Sequence, residues 1–143
     1  EQFAAFFAAC PECSQRDSRY YIDILGFNAW VDQSNAAAIS SNVSWIKGVA
    51  SMLKEVYANR PVALTNFGFK GAHWASQQAE VIADSGLFQR RNSTLDAIYY
   101  FAAVDFSTRS NFVQELVSSG PHRGRTIGQV LLDTCRHNGG VDW

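Results

Sequence analysis

The sequence has no run of Lys or Arg, and its 12 basic and 13 acidic side chains leave a formal net charge of −1. So even a balance leaves no electrostatic footprint for nucleic acid or an anionic membrane surface, and neither is expected as a partner. Long hydrophobic runs are missing too: Asp, Asn or Gly interrupts every apolar stretch well short of bilayer length, so no transmembrane span is expected. No signal-peptide pattern is visible, and the chain opens on Glu1 and not on Met, which reads as processing or excision from a longer precursor. A second cysteine pair and a His pair at ligand spacing are both absent, so neither a zinc site nor any other metal or cofactor is expected. His73, His122 and His137 are scattered, and solvated surface is their default place.

What is present is apolar and aromatic. The hydrophobic fraction is 47% and the aromatic fraction 13%, which predicts a folded chain able to bury a core and excludes a disordered one. The three cysteines are Cys10 and Cys13, in a Cys-Pro-Glu-Cys segment, and Cys135 near the C-terminus. A redox Cys-x-x-Cys would follow a strand and open a helix, whereas here a helix precedes it and a polar loop follows. Disulfide use is expected, with the odd cysteine pairing elsewhere; three reduced thiols are the alternative. Two acceptor triplets, Asn42-Val43-Ser44 and Asn92-Ser93-Thr94, are read as surface N-glycosylation sites, one at a helix start and one in a polar loop. With the cysteines they point to a secreted, extracellular or cell-wall glycoprotein.

Hydrophobic periodicity orders the elements. Phe3, Phe6, Phe7 and Cys10 recur at helical spacing until Pro11 stops them. Tyr20 to Trp30, with Ile22, Ile24, Leu25 and Phe27, reads as a buried strand, followed by a long loop of polar and small residues. A helix is expected from about Asn42 to Ala58, capped by Asn42 or Ser41, with Trp45, Val49, Met52, Leu53 and Val56 on one face. Pro61 to Phe69 is the second strand, with Val62, Leu64 and Phe67 as core candidates. His73 to Ser85 is the next helix, with Trp74, Gln78, Val81 and Ile82 along one stripe, ended by Gly86. Asp96 to Phe106 is the third strand; helices near Ser110 to Ser118 and from Thr126 to about Arg136 close the chain. Strand starts about 40 and about 35 residues apart, each gap holding one helix, predict βαβαβα with a parallel sheet. Either a small three-layer α/β fold or a piece of a (β/α)8 barrel satisfies this pattern.

Particular residues favour the barrel. Cys10-Pro11-Glu12-Cys13, then Ile22-Asp23-Ile24-Leu25-Gly26-Phe27-Asn28-Ala29-Trp30, then Pro61-Val62-Ala63-Leu64-Thr65-Asn66-Phe67-Gly68 resemble the alkali-sensitive-linkage-like catalytic domain, family 128 of the glycoside hydrolases, whose members cleave β-1,3-glucan. Residues 126–132 resemble the family's terminal segment. The resemblance runs through nearly all of residues 1–143 as a single unit and covers the C-terminal half of the family's domain. It implies a partial (β/α)8 barrel of about the last three strands with their helices, completed by a complementary half-barrel segment or second chain. In that family the strand motif reads Pro-x-x-x-Thr-Glu-Phe-Gly and its Glu is the nucleophile, so Asn66 stands at the nucleophile position. Where the family has a His on the preceding strand, this chain has Asn28.

A retaining glycosidase needs two carboxyl groups about 5 to 5.5 Å apart, and a neutral amide neither forms the glycosyl ester nor steadies an oxocarbenium ion. No catalytic residue is therefore assigned. Asp105, near the C-terminal end of the third strand, and Asp32, just past the first, are the candidate replacement carboxylates; a helix N-cap or loop hydrogen bond is the more ordinary role of Asp105, and Asp23 reads as a strand-entry residue. Trp30, Asn28, Asn66, Phe69, Tyr100 and Asp105 are the glycan-binding candidates, and Tyr99, Phe101 and Trp74 share their aromatic signal. Core packing is the commoner fate of such rings, above all for Trp74 on an apolar helix face. Two readings follow: a catalytically inactive, secreted glycosidase-like protein that binds β-glucan or another polysaccharide or serves an extracellular assembly, or an active β-1,3-glucanase once completed by its other half. In an isolated half barrel, Leu25, Phe27, Leu64, Phe67, Tyr100 and Ala102 are expected to face an unfilled interior.

Overall fold

In the computed structural model, residues 2–57, 60–70, 75–88, 94–100 and 116–137 are described. Their elements are α1 (Gln2–Ala9), a 3-10 turn (Pro11–Ser14), β1 (Leu25–Asp32), α2 (Ala36–Val56), β2 (Val62–Lys70), α3 (Ala75–Asp84), β3 (Ala97–Tyr100) and α4 (Ile127–His137). The three strands form one parallel sheet in the order β1-β2-β3. The mixed α/β class and the parallel sheet are thus as expected.

The N-terminal helix ends where Cys10 N–H donates to Phe6 O and Pro11 can donate nothing onward. Cys10 and Cys13 are joined by a disulfide across the 3-10 turn, and Cys135 is a free, half-buried thiol that burial pushes above its ordinary pKa. The strand expected from Tyr20 begins only at Leu25. Tyr21 N–H is taken by Ser18 O in a turn and Ile22 N–H by Cys13 O, so pairing with the second strand starts at Leu25 N–H to Pro61 O. Ile24, expected in the buried strand, is accordingly 58% exposed.

A second correction concerns α2, which starts at Ala36 and not near Asn42. Asn35 is the cap: its Oδ1 accepts Ala38 N–H at 2.9 Å, and the three alanines read as loop are the first turn of a strong helix former. Ile46, Ala50 and Leu53 form the buried stripe, each 0% exposed. Trp45, Met52 and Val56, expected on that stripe, are exposed beside it.

The strand faces follow from burial. Leu25, Ala29 and Val31 of β1 and Val62, Leu64 and Phe67 of β2 pack with that stripe in one core. Leu25, Leu64 and Phe67 therefore do not look into an unfilled interior; they meet α2, and half-buried Phe27 packs against the same cluster. The three core candidates of β2 are all 0% exposed, as expected. A smaller core joins Ala75, Ala79 and Ile82 of α3 to Val117, Ile127 and Val130. Phe88 links the two cores, its ring 5.4 Å from that of Phe67. Gly86 terminates α3 at φ 76°, a left-handed conformation open to glycine without strain. The helix expected to Ser118 does not reach it, because Leu116 bridges Thr126 and Val117 N–H donates to Arg125 O in a turned segment. Thr126 and Gln129 then form a reciprocal capping box at the start of α4: Gln129 N–H donates to Thr126 Oγ1 and Thr126 N–H to Gln129 Oε1.

Candidate functional site

The face of the sheet turned away from α2 carries Gly26, Asn28 and Trp30 from β1, Ala63, Asn66 and Gly68 from β2, and Ala97 and Tyr99 from β3, as pairing and alternation require. Asn28 pairs in register with Asn66, so the two amide side chains stand on neighbouring strands about 5 Å apart at the backbone. Tyr99 falls between the pairs Ile98↔Leu64 and Tyr100↔Phe67, on the other side of β2, level with Asn66. Trp30 pairs with Gly68 one step nearer the C-terminal end of the strands. Trp30, 39% exposed, and Tyr99, 62% exposed, flank this face, while Ala63 and Gly68 between them are buried.

A bulge positions Asn66. β2 carries one residue more than β1 between Leu64 and Asn66, and one more than β3 between Leu64 and Phe67. Bulges are rare in parallel pairs and re-aim side chains where they occur. Thr65 holds this one: its Oγ1 donates to Asn28 Oδ1 at 2.8 Å and lies 3.3 Å from Phe27 O. A Cβ at position 26 would stand 2.6 Å from Thr65 Cγ2, so only glycine lets the threonine lie across β1. Thr65 now fixes one amide oxygen, while Asn66 Oδ1 is buried with no hydrogen-bond partner among the described residues.

The chemistry of this row is neutral. Two carboxamides stand here without charge, one amide oxygen held by Thr65 and the other buried, and the flanking rings supply apolar faces of the kind that pack against a polyhydroxylated ring. Among the described residues the acid on this face is Asp32, the last residue of β1 and not past it. Its carboxylate accepts Ser34 N–H at 2.9 Å, and the Ser34 backbone, then the Ser34 side chain, hold its pKa below the ordinary value. Such a carboxylate is an ionised turn-former, not a proton donor. Among the described residues no cluster of His, Cys, Asp and Glu could hold a metal ion, and no helix is long and apolar enough to cross a membrane.

Other expected site residues are dispersed. Phe69 packs against the α2-side core, edge-on to Phe67 at 5.4 Å, and so leaves the row of asparagines. The backbone of Tyr100 registers with Phe67. Asp105, Phe101, Ala102, Trp74 and Asn92 lie outside the described residues. Asn42 lies inside α2, half-buried, and its Oδ1 accepts Asp32 N–H at 2.7 Å, closing the end of β1. Sequence reasoning missed the roles of Gly26 and Thr65; a glycine inside a strand run, the mark of close approach, was the signal.

Beside this face, a trough of about 750 Å³ runs along the outer flank of β1 between α1 and α2. It shares Gly26, Asn28 and Thr65 with the row and is otherwise lined by Phe, Ile, Leu, Val and Trp side chains and Gln2. Comparison of the chain with family models, curated proteins and solved structures finds no match.

Proposed function

We propose that this chain is a secreted, catalytically inactive glycosidase-like protein with a glycan-binding or structural extracellular role, built as part of a (β/α)8 barrel that another segment or chain completes. The observation that carries this reading is the row Asn28, Asn66 and Tyr99, with Trp30 above it: two neutral amides on adjacent strands at the bulge. In the resembled family that place belongs to a carboxylate nucleophile, and an amide there keeps the means of holding a sugar while losing the means of cleaving it. Packing of α2 on one face of the parallel sheet supports the barrel reading, since barrel strands turn one face to helices. The Cys10–Cys13 disulfide supports an oxidising compartment.

Titration of the full chain with soluble β-1,3-glucan oligosaccharides tests the reading. Saturable binding is expected, weakened by about tenfold or more in Trp30→Ala through loss of the stacking surface. No reducing ends should appear with the natural chain. Release of reducing ends would refute the inactive assignment and favour an active β-1,3-glucanase. Absence of binding to any neutral glycan would leave the structural role.

A further inference from the structure

We infer that the outer edge of β1 is the seat of an added β-strand: an extended, uncharged, apolar segment of a second polypeptide lying in the trough between α1 and α2. This seat rests on the reading of the sheet as incomplete and names what completes it. Leu25 N–H donates to Pro61 O and Gln33 N–H to Lys70 O, so the odd-numbered residues of β1 turn their backbone groups to β2. Gly26 and Asn28 consequently turn their N–H and C=O groups outward, over the trough. The far end of the edge is already closed, because Asp32 N–H donates to Asn42 Oδ1 at 2.7 Å. An incoming strand therefore has only the N-terminal part of β1 to pair with.

The trough selects the chemistry of that strand. Phe6 is 47% exposed, Ile24 58% and Trp45 55%, and with Phe3 and Phe27 they make its walls. Among the described residues no charged side chain lines it, so the complementary surface is uncharged; a Lys or Asp inserted there would lose its hydration with no counter-charge from them. A glycan carries no regular row of N–H and C=O groups to match a strand edge, and a lipid would cover the wall and leave the amides unpaired. Only an extended polypeptide both pairs the edge and covers the wall.

Hydrogen exchange at Gly26 and Asn28 in the full chain provides the test, with short neutral peptides alternating Val or Ile with Thr as probes. Exchange at both amides should slow by about tenfold or more at saturating peptide. Trp45→Glu and, independently, Phe6→Glu should each weaken peptide binding by about tenfold or more while glucan binding is unchanged. The seat is refuted if no neutral peptide slows these amides, or if peptides alternating Val with Lys or Asp do so equally. It is also refuted if the amides are already protected in a homodimer seen by sedimentation. Loss of glucan binding with peptide protection intact would instead remove the glycan reading and leave the seat standing.

Discussion

Gly26 and Thr65 show how tightly one residue can depend on another far away in the chain. Adding a single methyl group at position 26 meets Thr65 Cγ2 at 2.6 Å, and the threonine can retreat only by giving up its 2.8 Å hydrogen bond to Asn28. Gly26→Ala should therefore destabilise the chain by about 1 to 3 kcal/mol in chemical denaturation. Thr65→Ser, which removes the clashing methyl and keeps the hydroxyl, should recover most of that loss in the double variant; additive losses would show that the contact is not the cause. Arg60 is a second such residue. It is 7% exposed, lies 4.5 Å from the Tyr21 ring and 5.2 Å from the Phe7 ring, and donates to Ser14 O at 2.9 Å. Its Nε and Nη1 are buried without partners, so the stacked stem and one bond carry its contribution. Arg60→Ala should lose about 2 to 3 kcal/mol. Arg60→Met, which keeps the apolar contact and removes a buried charge, should lose clearly less. Equal losses would assign the effect to charge.

Among the elements, the junction of α2, β2 and β3 is held by Asp96. Its Oδ2 accepts Val62 N–H at 2.8 Å, its own N–H donates to Val62 O at 2.8 Å, and Lys54 Nζ lies 2.8 Å from the carboxylate. Partial burial pushes its pKa up, the Lys54 ammonium and the Val62 N–H pull it down, and the net direction is down. A depressed folded pKa means that the unfolded chain binds the proton first as pH falls. The contribution is therefore complete above the ordinary value of 3.8 and fades as pH drops through the lower folded value. Asp96→Asn should flatten the stability profile in that acid window while costing about 1 kcal/mol or less at neutral pH, since the pair is half-exposed. An unchanged slope would locate acid sensitivity elsewhere. In the segment leading into β1, the disulfide closes a loop of only four residues, so reduction should cost no more than about 2 kcal/mol by chain entropy. Thermal melts with and without reductant check this.

Phe67 is the hinge of the whole molecule: fully buried, shared by the α2-side core, and in ring contact with Phe88, which also reaches the α3–α4 core. Phe67→Ala should cost about 3 to 5 kcal/mol and loosen both cores together. Retention of native-like packing around α3 and α4 in that variant would mean that the cores are independent.

The order of elements was legible because its signals are local. Pro11 stops a helix, Val62, Leu64 and Phe67 mark a buried strand, Gly86 ends α3, and a last helix is expected from Thr126. Asn35 shows the limit: a cap followed by alanines looked like loop because a small-residue stretch has no hydrophobic period to read. The two asparagines were also found from sequence, through their strand motifs. What the tertiary structure alone decided was which residues share a face. Leu64 and Phe67 lie on the same face although three residues apart, because a bulge inserts one residue between them and shifts the alternation. That extra residue sets Asn66 beside Asn28, alternation beyond it puts Phe69 on the opposite face, and the early start of α2 places Asn42 where it caps the end of β1. Strand register joins residues nearly forty positions apart, and no local pattern in the sequence records it.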